Sequence, residues 1–84
     1  MLNLNETVEM MSSQDYKERF KAEVYQLDIR INKLVTMLSA WEAGELSFQP
    51  TCSYDLLSAQ LDSMKVYRHF LCELAKIEGI ALYE

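Results

Sequence analysis

Positive charge is concentrated in one short part of an acidic chain. The 84 residues include 13 Asp and Glu against 8 Lys and Arg. Five of these cations fall within residues 16–34, YKERFKAEVYQLDIRINKL, namely Lys17, Arg19, Lys21, Arg30 and Lys33. Guanidinium and ammonium groups bind phosphate oxygens through charge-assisted hydrogen bonds, and an aromatic ring such as that of Tyr16 stacks on bases. The segment is therefore a candidate site for a small phosphate-bearing ligand.

The same cations also have a simpler interpretation as a solvated helix flank. At 100° per residue, one flank of a helix here would carry Arg19, Glu23, Gln26, Arg30 and Lys33, directly beside the apolar face. Cations at such positions pair with carboxylates one turn away, and Asp15, Glu18 and Glu23 are at suitable spacing. Periodicity alone favours this second interpretation, so the ligand hypothesis needs further support.

The composition argues against several classes of function. A net charge of −5 does not suit a general DNA or RNA binder, because such proteins neutralise many phosphates with a broad basic surface. Cys52 and Cys72 lack a CxxC spacing and a nearby His pair, which argues against a zinc site or a disulfide framework. His69 has no second ligand or triad partner, and no catalytic or nucleotide-binding loop motif occurs. We therefore expect a protein that is not an enzyme and has no metal or cofactor.

The location of the protein is predicted from what the sequence lacks. No apolar run approaches the roughly 20 residues that span a bilayer. The first residues, MLNLNETVEMM, do not combine a basic region with an apolar core as a signal peptide does. With two unpaired cysteines, these features predict a soluble protein of a reducing cytoplasm that does not bind membranes.

Apolar periodicity predicts an all-α fold. Alternating spacings of 4 and 3 residues, typical of one helix face, relate Phe20, Val24, Leu27, Ile31, Leu34, Leu38 and Trp41. We expect an N-terminal arm or short helix over 1–12 and a helical hairpin domain over 13–84. Within it, a helix covers about 13–43, capped by Ser12 or Ser13, a loop about 44–52, and a second helix about 53–78. Two long helices joined by a short loop pack antiparallel.

The same pattern predicts a homo-oligomer. Half of the residues are apolar, which is more than a chain of 84 residues readily buries by itself. On the face of the first helix opposite the hairpin partner lies a second apolar patch, formed by Ala22, Tyr25, Ile29 and Thr36. Because the second helix cannot cover this patch, we expect another copy of the chain to do so.

Several stretches together resemble a known family. The runs YKERFKAEVYQLDIRINKLVTML, AGELSFQPTC, LLSAQLDSMKVY and IEGIAL are similar to short tailed-phage proteins, related to small helical proteins of crAss-phages, that include the type 2 anti-CBASS proteins. The resemblance covers about residues 13–82 and leaves the N-terminal extension outside. Characterised members are all-helical homohexamers that sequester the cyclic di- and trinucleotides with which bacterial CBASS defence activates its effectors.

The resemblance implies roles for individual residues. A tyrosine near the start of the long helix stacks on a base of the cyclic dinucleotide in this family, and Tyr16 matches it. A basic residue further along contacts phosphate, and either Arg30 or Lys33 corresponds to it. Glu23 and Gln26 lie between them on the same edge as candidate base or ribose contacts, and Arg19 belongs to the same basic band.

The chain departs from the family pattern at two places, one of which concerns a second ligand class. The family often has Met-Gly-x-Tyr where this chain has Met64-Lys65-Val66-Tyr67, and an arginine where this chain has Leu74. An arginine contributes to a separate cyclic trinucleotide site in characterised members. If Leu74 replaces that arginine, the second site is in doubt unless Arg68 compensates.

The sequence thus predicts a phage protein of the host bacterial cytoplasm that binds cyclic dinucleotides without degrading them. Its partners are the ligand and further copies of the chain, most simply in a hexamer. A small structural or partner-binding phage protein is the alternative of a different class. A sponge for a cyclic ADP-ribose signal of Thoeris defence is a third hypothesis.

Overall fold

The computed structural model describes residues 3–83, and these contain helices and no strand. A 3-10 turn over Leu4–Thr7 leads into the short helix α1, Val8–Met11. Two long helices follow, α2 over Tyr16–Glu42 and α3 over Tyr54–Glu78. The predicted all-α class is confirmed. No described helix is long and apolar enough to cross a membrane.

Local chemistry explains where the long helices begin and end. Asp15, rather than the expected Ser12 or Ser13, caps α2, and its carboxylate accepts the Lys17 amide at 2.9 Å. The hydroxyl of Ser53 caps α3 by accepting the Leu56 amide at 3.1 Å. Gly79 ends α3 in the left-handed conformation at φ 68°, which glycine adopts without a Cβ clash.

The two long helices form an antiparallel hairpin. Side-chain hydrogen bonds connect the start of α2 to the end of α3 (Tyr16 to Glu78), the middles to each other (Asp28 to Arg68), and the end of α2 to the start of α3 (Glu42 to Tyr54). The core lies toward the end of the hairpin where both chain termini pack. Its buried members are Phe20, Val24, Tyr25, Leu71, Ala75 and Ile80, with Met10, Leu27 and Leu82 against them.

Three of the four residues of the predicted second apolar patch are buried, and the fourth, Thr36, is exposed. Ala22, Tyr25 and Ile29 have exposed fractions of only 0%, 8% and 6% within a single chain. The N-terminal turn and α1 both pack on α2, and the Tyr83 ring lies 4.6 Å from that of Tyr25. The prediction that another copy must cover these residues was therefore wrong. The two chain ends, which carry no clear periodicity, supply the cover.

Exposed apolar surface lies on α3 instead. Val66, Phe70, Leu74 and Ile77 are separated by 4, 4 and 3 residues and so share one helix face, here named the α3 apolar stripe. Their exposed fractions run from 47% for Leu74 to 81% for Ile77. Of the neighbouring residues Leu74 and Ala75, the structure buries Ala75, which is 3% exposed.

Candidate functional site

A groove beside α2 contains the predicted basic edge. Its volume is about 550 Å³, within the range of small-molecule sites, roughly 300–1,000 Å³. The residues that line it are Leu4, Leu27, Arg30, Lys33, Leu34, Met37, Gln60 and Met64. Most of the lining is aliphatic or thioether side chains, and two cations and one amide are its polar groups.

Three elements form this groove. Helical geometry places Arg30, Lys33 and Met37 on one stripe of α2, because each is about one turn from the next. Gln60 and Met64 lie one turn apart on α3 and form one wall, while Leu4 of the N-terminal turn forms the other. The antiparallel hairpin thus places the α3 wall of Gln60 and Met64 beside the two cations.

Arg30 and Lys33 are exposed, and neither forms a hydrogen bond or ion pair within residues 3–83. The pairing expected for a solvated flank occurs between Lys21 and Glu18, at 3.8 Å. Arg19 donates to the Ser13 carbonyl at 2.7 Å, where it ties the start of α2 to the preceding loop. Of the five cations of the basic segment, Arg30 and Lys33 are the two that line the groove, and both are unpaired among the described residues.

Tyr16 lies at the start of α2 with half of its surface exposed. Its hydroxyl donates to the Glu78 carboxylate at 2.7 Å, and this hydrogen bond raises the pKa of Tyr16 above its ordinary value. The ring packs beside Phe20, with centroids 6.3 Å apart. An anchored hydroxyl and an exposed ring suit Tyr16 to stacking on a flat ligand.

Glu23 and Gln26 are already engaged by other parts of the chain. The Glu23 carboxylate accepts a hydrogen bond from the Tyr67 hydroxyl and raises the pKa of that tyrosine. The Gln26 amide donates to the Thr7 hydroxyl at 2.9 Å and also contacts the Met11 sulfur. Gln26 therefore holds the N-terminal segment against α2.

One protomer does not bring all the predicted site residues into a single pocket. Arg30 follows Tyr16 by 14 residues and Lys33 follows it by 17. At 1.5 Å per residue these spacings are about 21 and 25 Å along the helix axis. Tyr16 lies beyond the groove, so the ring and the two cations form separate parts of one long edge.

A second cavity of about 530 Å³ lies on the other edge of the hairpin. The Asp28 carboxylate, 8% exposed as a residue, accepts hydrogen bonds from both the Arg68 guanidinium and the Tyr83 hydroxyl. The bond to Asp28 raises the pKa of Arg68, and burial, together with that carboxylate, raises the pKa of Tyr83. Since its charge is compensated here, Arg68 is poorly placed to compensate for Leu74 at a second ligand site.

Sequence reasoning missed six residues of the groove as site residues, and it assigned two of them, Leu27 and Leu34, only to the apolar face of α2. Gln60 and Met64 follow the helical periodicity of α3, and Met37 that of α2, so a projection of both helices would have found them. Leu4 has no such signal, because its place depends on how the N-terminal turn packs. Within the described residues, no group of three or more His, Cys, Asp or Glu side chains is arranged to hold a metal ion.

Comparison with known proteins gives one family. The sequence model of the family described as Sequestin matches residues 14–73. The match includes Tyr16, Arg30, Lys33 and the α3 wall of the groove, but not the N-terminal turn or the C-terminal tail. Neither a curated protein nor a solved structure matches the chain significantly.

Proposed function

The chain belongs to the Sequestin family, and from this premise we propose that it is a phage sponge for the cyclic dinucleotide signals of bacterial CBASS defence. It acts in the cytoplasm of the host bacterium, where it lowers the concentration of free signal by binding it. Cyclic trinucleotides are a second ligand class that the family resemblance suggests. The resemblance to anti-CBASS proteins, noted from the sequence, is in agreement with the family match.

The unpaired cations at the groove are the observation that carries this proposal. A ligand phosphate that reaches Arg30 or Lys33 gains a charge-assisted hydrogen bond of roughly 1.5–3 kcal/mol without breaking an existing ion pair. The side chains of Met37 and Met64, which line the groove, offer an apolar surface for a base. A ligand with few phosphates and flat bases therefore fits this groove better than a nucleic-acid polymer.

The length of the edge favours a site shared by two protomers. Tyr16 and Arg30 of one chain are about 21 Å apart, a span too long for a compact cyclic dinucleotide to bridge. If two protomers meet with their α2 edges antiparallel, Tyr16 of each lies beside the cations of the other. A two-fold arrangement of this kind presents identical contacts to the two halves of the ligand.

Self-association through the α3 apolar stripe is consistent with such an assembly. An exposed apolar face of this kind on a small protein is typical of an interface. We propose a homo-oligomer, most simply a hexamer. Sedimentation at micromolar concentration tests this assembly, and a stable monomer of 9.8 kDa would contradict the shared site.

Binding is tested by calorimetric titration with 3′,3′-cyclic GMP–AMP, cyclic di-AMP, cyclic di-GMP, a cyclic triadenylate and cyclic ADP-ribose isomers. We expect tight binding of at least one cyclic dinucleotide. Lys33→Gln should weaken this binding, whereas Lys76→Gln, the matched control on α3, should leave the affinity unchanged. Lys76 pairs with Glu73 at 3.2 Å and lies outside the groove. Binding only of cyclic ADP-ribose isomers would favour a Thoeris sponge, and no binding at all would favour a structural or partner-binding protein.

Sequestration without turnover has its own test. The protein is incubated for hours with excess cyclic dinucleotide and then denatured, and the released nucleotide is quantified by liquid chromatography. We expect full recovery of intact ligand. A linear product that accumulates beyond the number of binding sites would show that the protein is an enzyme.

A further inference from the structure

The N-terminal segment, residues 3–12, precedes the family match yet contributes to the groove. The match begins at residue 14, whereas Leu4 is one of the groove residues. The other groove residues all belong to α2 and α3, so Leu4 is the lining residue that comes from outside the two long helices. This segment is thus a feature of this chain that the shared family region does not supply.

A continuous set of hydrogen bonds fixes the segment in place. The Gln26 amide donates to the Thr7 hydroxyl at 2.9 Å, and that hydroxyl donates to the Leu4 carbonyl at 2.7 Å. Thr7 is fully buried, with 0% of its surface exposed. At the start of the 3-10 turn, the Asn3 side chain accepts the Glu6 amide at 3.0 Å. A buried hydroxyl that both accepts and donates defines the position of the backbone next to it.

Apolar packing provides a second anchor. Met10 packs against the core cluster, and α1 contacts α2. The segment is therefore held at both ends, by Thr7 near the turn and by Met10 near its junction with α2. Its position beside Arg30 and Lys33 follows from these contacts.

We propose that the N-terminal segment is a wall of the ligand site, in which Leu4 packs against a base whose phosphate is bound by Arg30 or Lys33. Thr7 and Gln26 are positioning residues that hold Leu4 at the groove. This inference rests on the proposed cyclic dinucleotide binding and adds a base-contacting element to it. Burial of Leu4 and of the base removes apolar surface from water, so the contribution is largely independent of salt.

The test separates the base contact from the phosphate contact by their salt dependence. Leu4→Ala should weaken binding of the tightest dinucleotide in the panel about tenfold, with the slope of log affinity against log salt unchanged, because no phosphate contact is lost. Lys33→Gln should make that slope shallower. Val8→Ala is the matched control, since Val8 is 54% exposed on the same segment and does not line the groove.

Thr7→Val tests the positioning role, because valine has a similar shape and no hydroxyl. Hydrogen exchange of residues 3–12 should become faster while that of α2 and α3 stays slow, and the affinity should fall to about that of Leu4→Ala. In the wild type, bound ligand should slow exchange in this segment.

The outcomes distinguish the two proposals. If the wild type binds none of the cyclic dinucleotides, the proposed function fails and this inference fails with it. If the wild type binds but Leu4→Ala binds equally well, with residues 3–12 still protected from exchange, only the wall is disproved. The Thr7→Val variant gives an independent test. If hydrogen exchange of its residues 3–12 is fast and its affinity is unchanged, the proposed wall is also disproved.

Discussion

The two edges of the helical hairpin look alike in composition and differ in how their charges are used. Each has a cavity of similar size, about 550 and 530 Å³, and each cavity is lined by one arginine and one lysine. On the groove edge, Arg30 and Lys33 have no partner among the described residues. On the other edge, Arg68 is bound to Asp28, which also accepts the Tyr83 hydroxyl.

This difference shows that the number of cations does not identify a binding site for anions. An arginine that is paired with a partly buried carboxylate must lose this ion pair before it can bind a phosphate. Breaking the pair leaves the carboxylate charge uncompensated and poorly hydrated, which is unfavourable. Free cations beside an apolar wall carry no such cost. We therefore propose a structural role for the Asp28 edge and ligand binding at the groove edge.

The largest expected effect comes from disrupting the Asp28 edge. Asp28→Ala removes the partner of Arg68 and the acceptor of Tyr83, and should lower the free energy of unfolding by about 3 kcal/mol. Urea denaturation measures the change, with Asp62→Ala on the exposed surface of α3 as the control. A loss below about 0.5 kcal/mol, the usual range for surface substitutions, would remove the structural role given to this edge.

Charge reversal compares the edges directly. Lys33→Glu should weaken cyclic dinucleotide binding about 100-fold, since it removes an attractive phosphate contact and adds a repulsive one. Lys65→Glu reverses a lysine that lines the Asp28 cavity and should change the affinity less than about threefold. Equal losses in both variants would mean that general electrostatic attraction, rather than the groove, determines binding.

Tyr16 should contribute through its ring. Tyr16→Ala should weaken binding by roughly 1–3 kcal/mol, the usual value for stacking of a base on an aromatic side chain. Tyr16→Phe keeps the ring and loses only the bond to Glu78, so its affinity should stay close to that of the wild type. If phenylalanine and alanine are equally harmful, the hydroxyl rather than stacking is responsible.

A mixing experiment sharpens the shared-site hypothesis. The Tyr16→Ala and Lys33→Glu substitutions affect different parts of the site, the stacking ring and the phosphate contact. In a mixed two-fold pair, one half retains Tyr16 from one chain and Lys33 from the other. Coexpressed variants should therefore recover part of the binding that each lacks alone. No recovery in confirmed mixed oligomers would indicate that the site lies within one protomer.

The smallest effect concerns alkaline stability. Because the folded state raises the pKa of Tyr83, it holds the phenol proton more tightly than the unfolded chain does. This contribution is fully present below the unfolded pKa of about 10 and is lost as pH rises toward the folded value. Tyr83→Phe should cost about 1 kcal/mol at neutral pH and make the fall in stability above pH 10 less steep. Denaturant midpoints of the wild type and the variant at pH 7 and 10.5 measure the loss of stability and its pH dependence. The ligand affinity at pH 7 should not change.

Local sequence patterns predict the two long helices and the edge on which the candidate residues lie. Spacings of 3 and 4 residues predict α2 and α3 because helical periodicity is local and depends on neighbours within a few turns. The same geometry places Tyr16, Arg19, Glu23, Arg30 and Lys33 along one edge of α2. The roles of individual residues came from the family resemblance, which the match to Sequestin supports at the level of the family.

Which cations are unpaired and which apolar surface is buried depends on contacts between residues far apart in the sequence. Arg68 meets Asp28 across 40 residues of sequence, and the Tyr83 amide donates to the Tyr25 hydroxyl across 58. The N-terminal turn and α1 pack on α2, in which Ala22 is buried, and Leu4 lines the groove. Such contacts depend on how whole elements pack, and short segments without periodicity give no local signal of where they dock. For this reason the place of Leu4 in the groove could not be predicted from the sequence, and neither could which of the periodic apolar residues of α3 stay exposed.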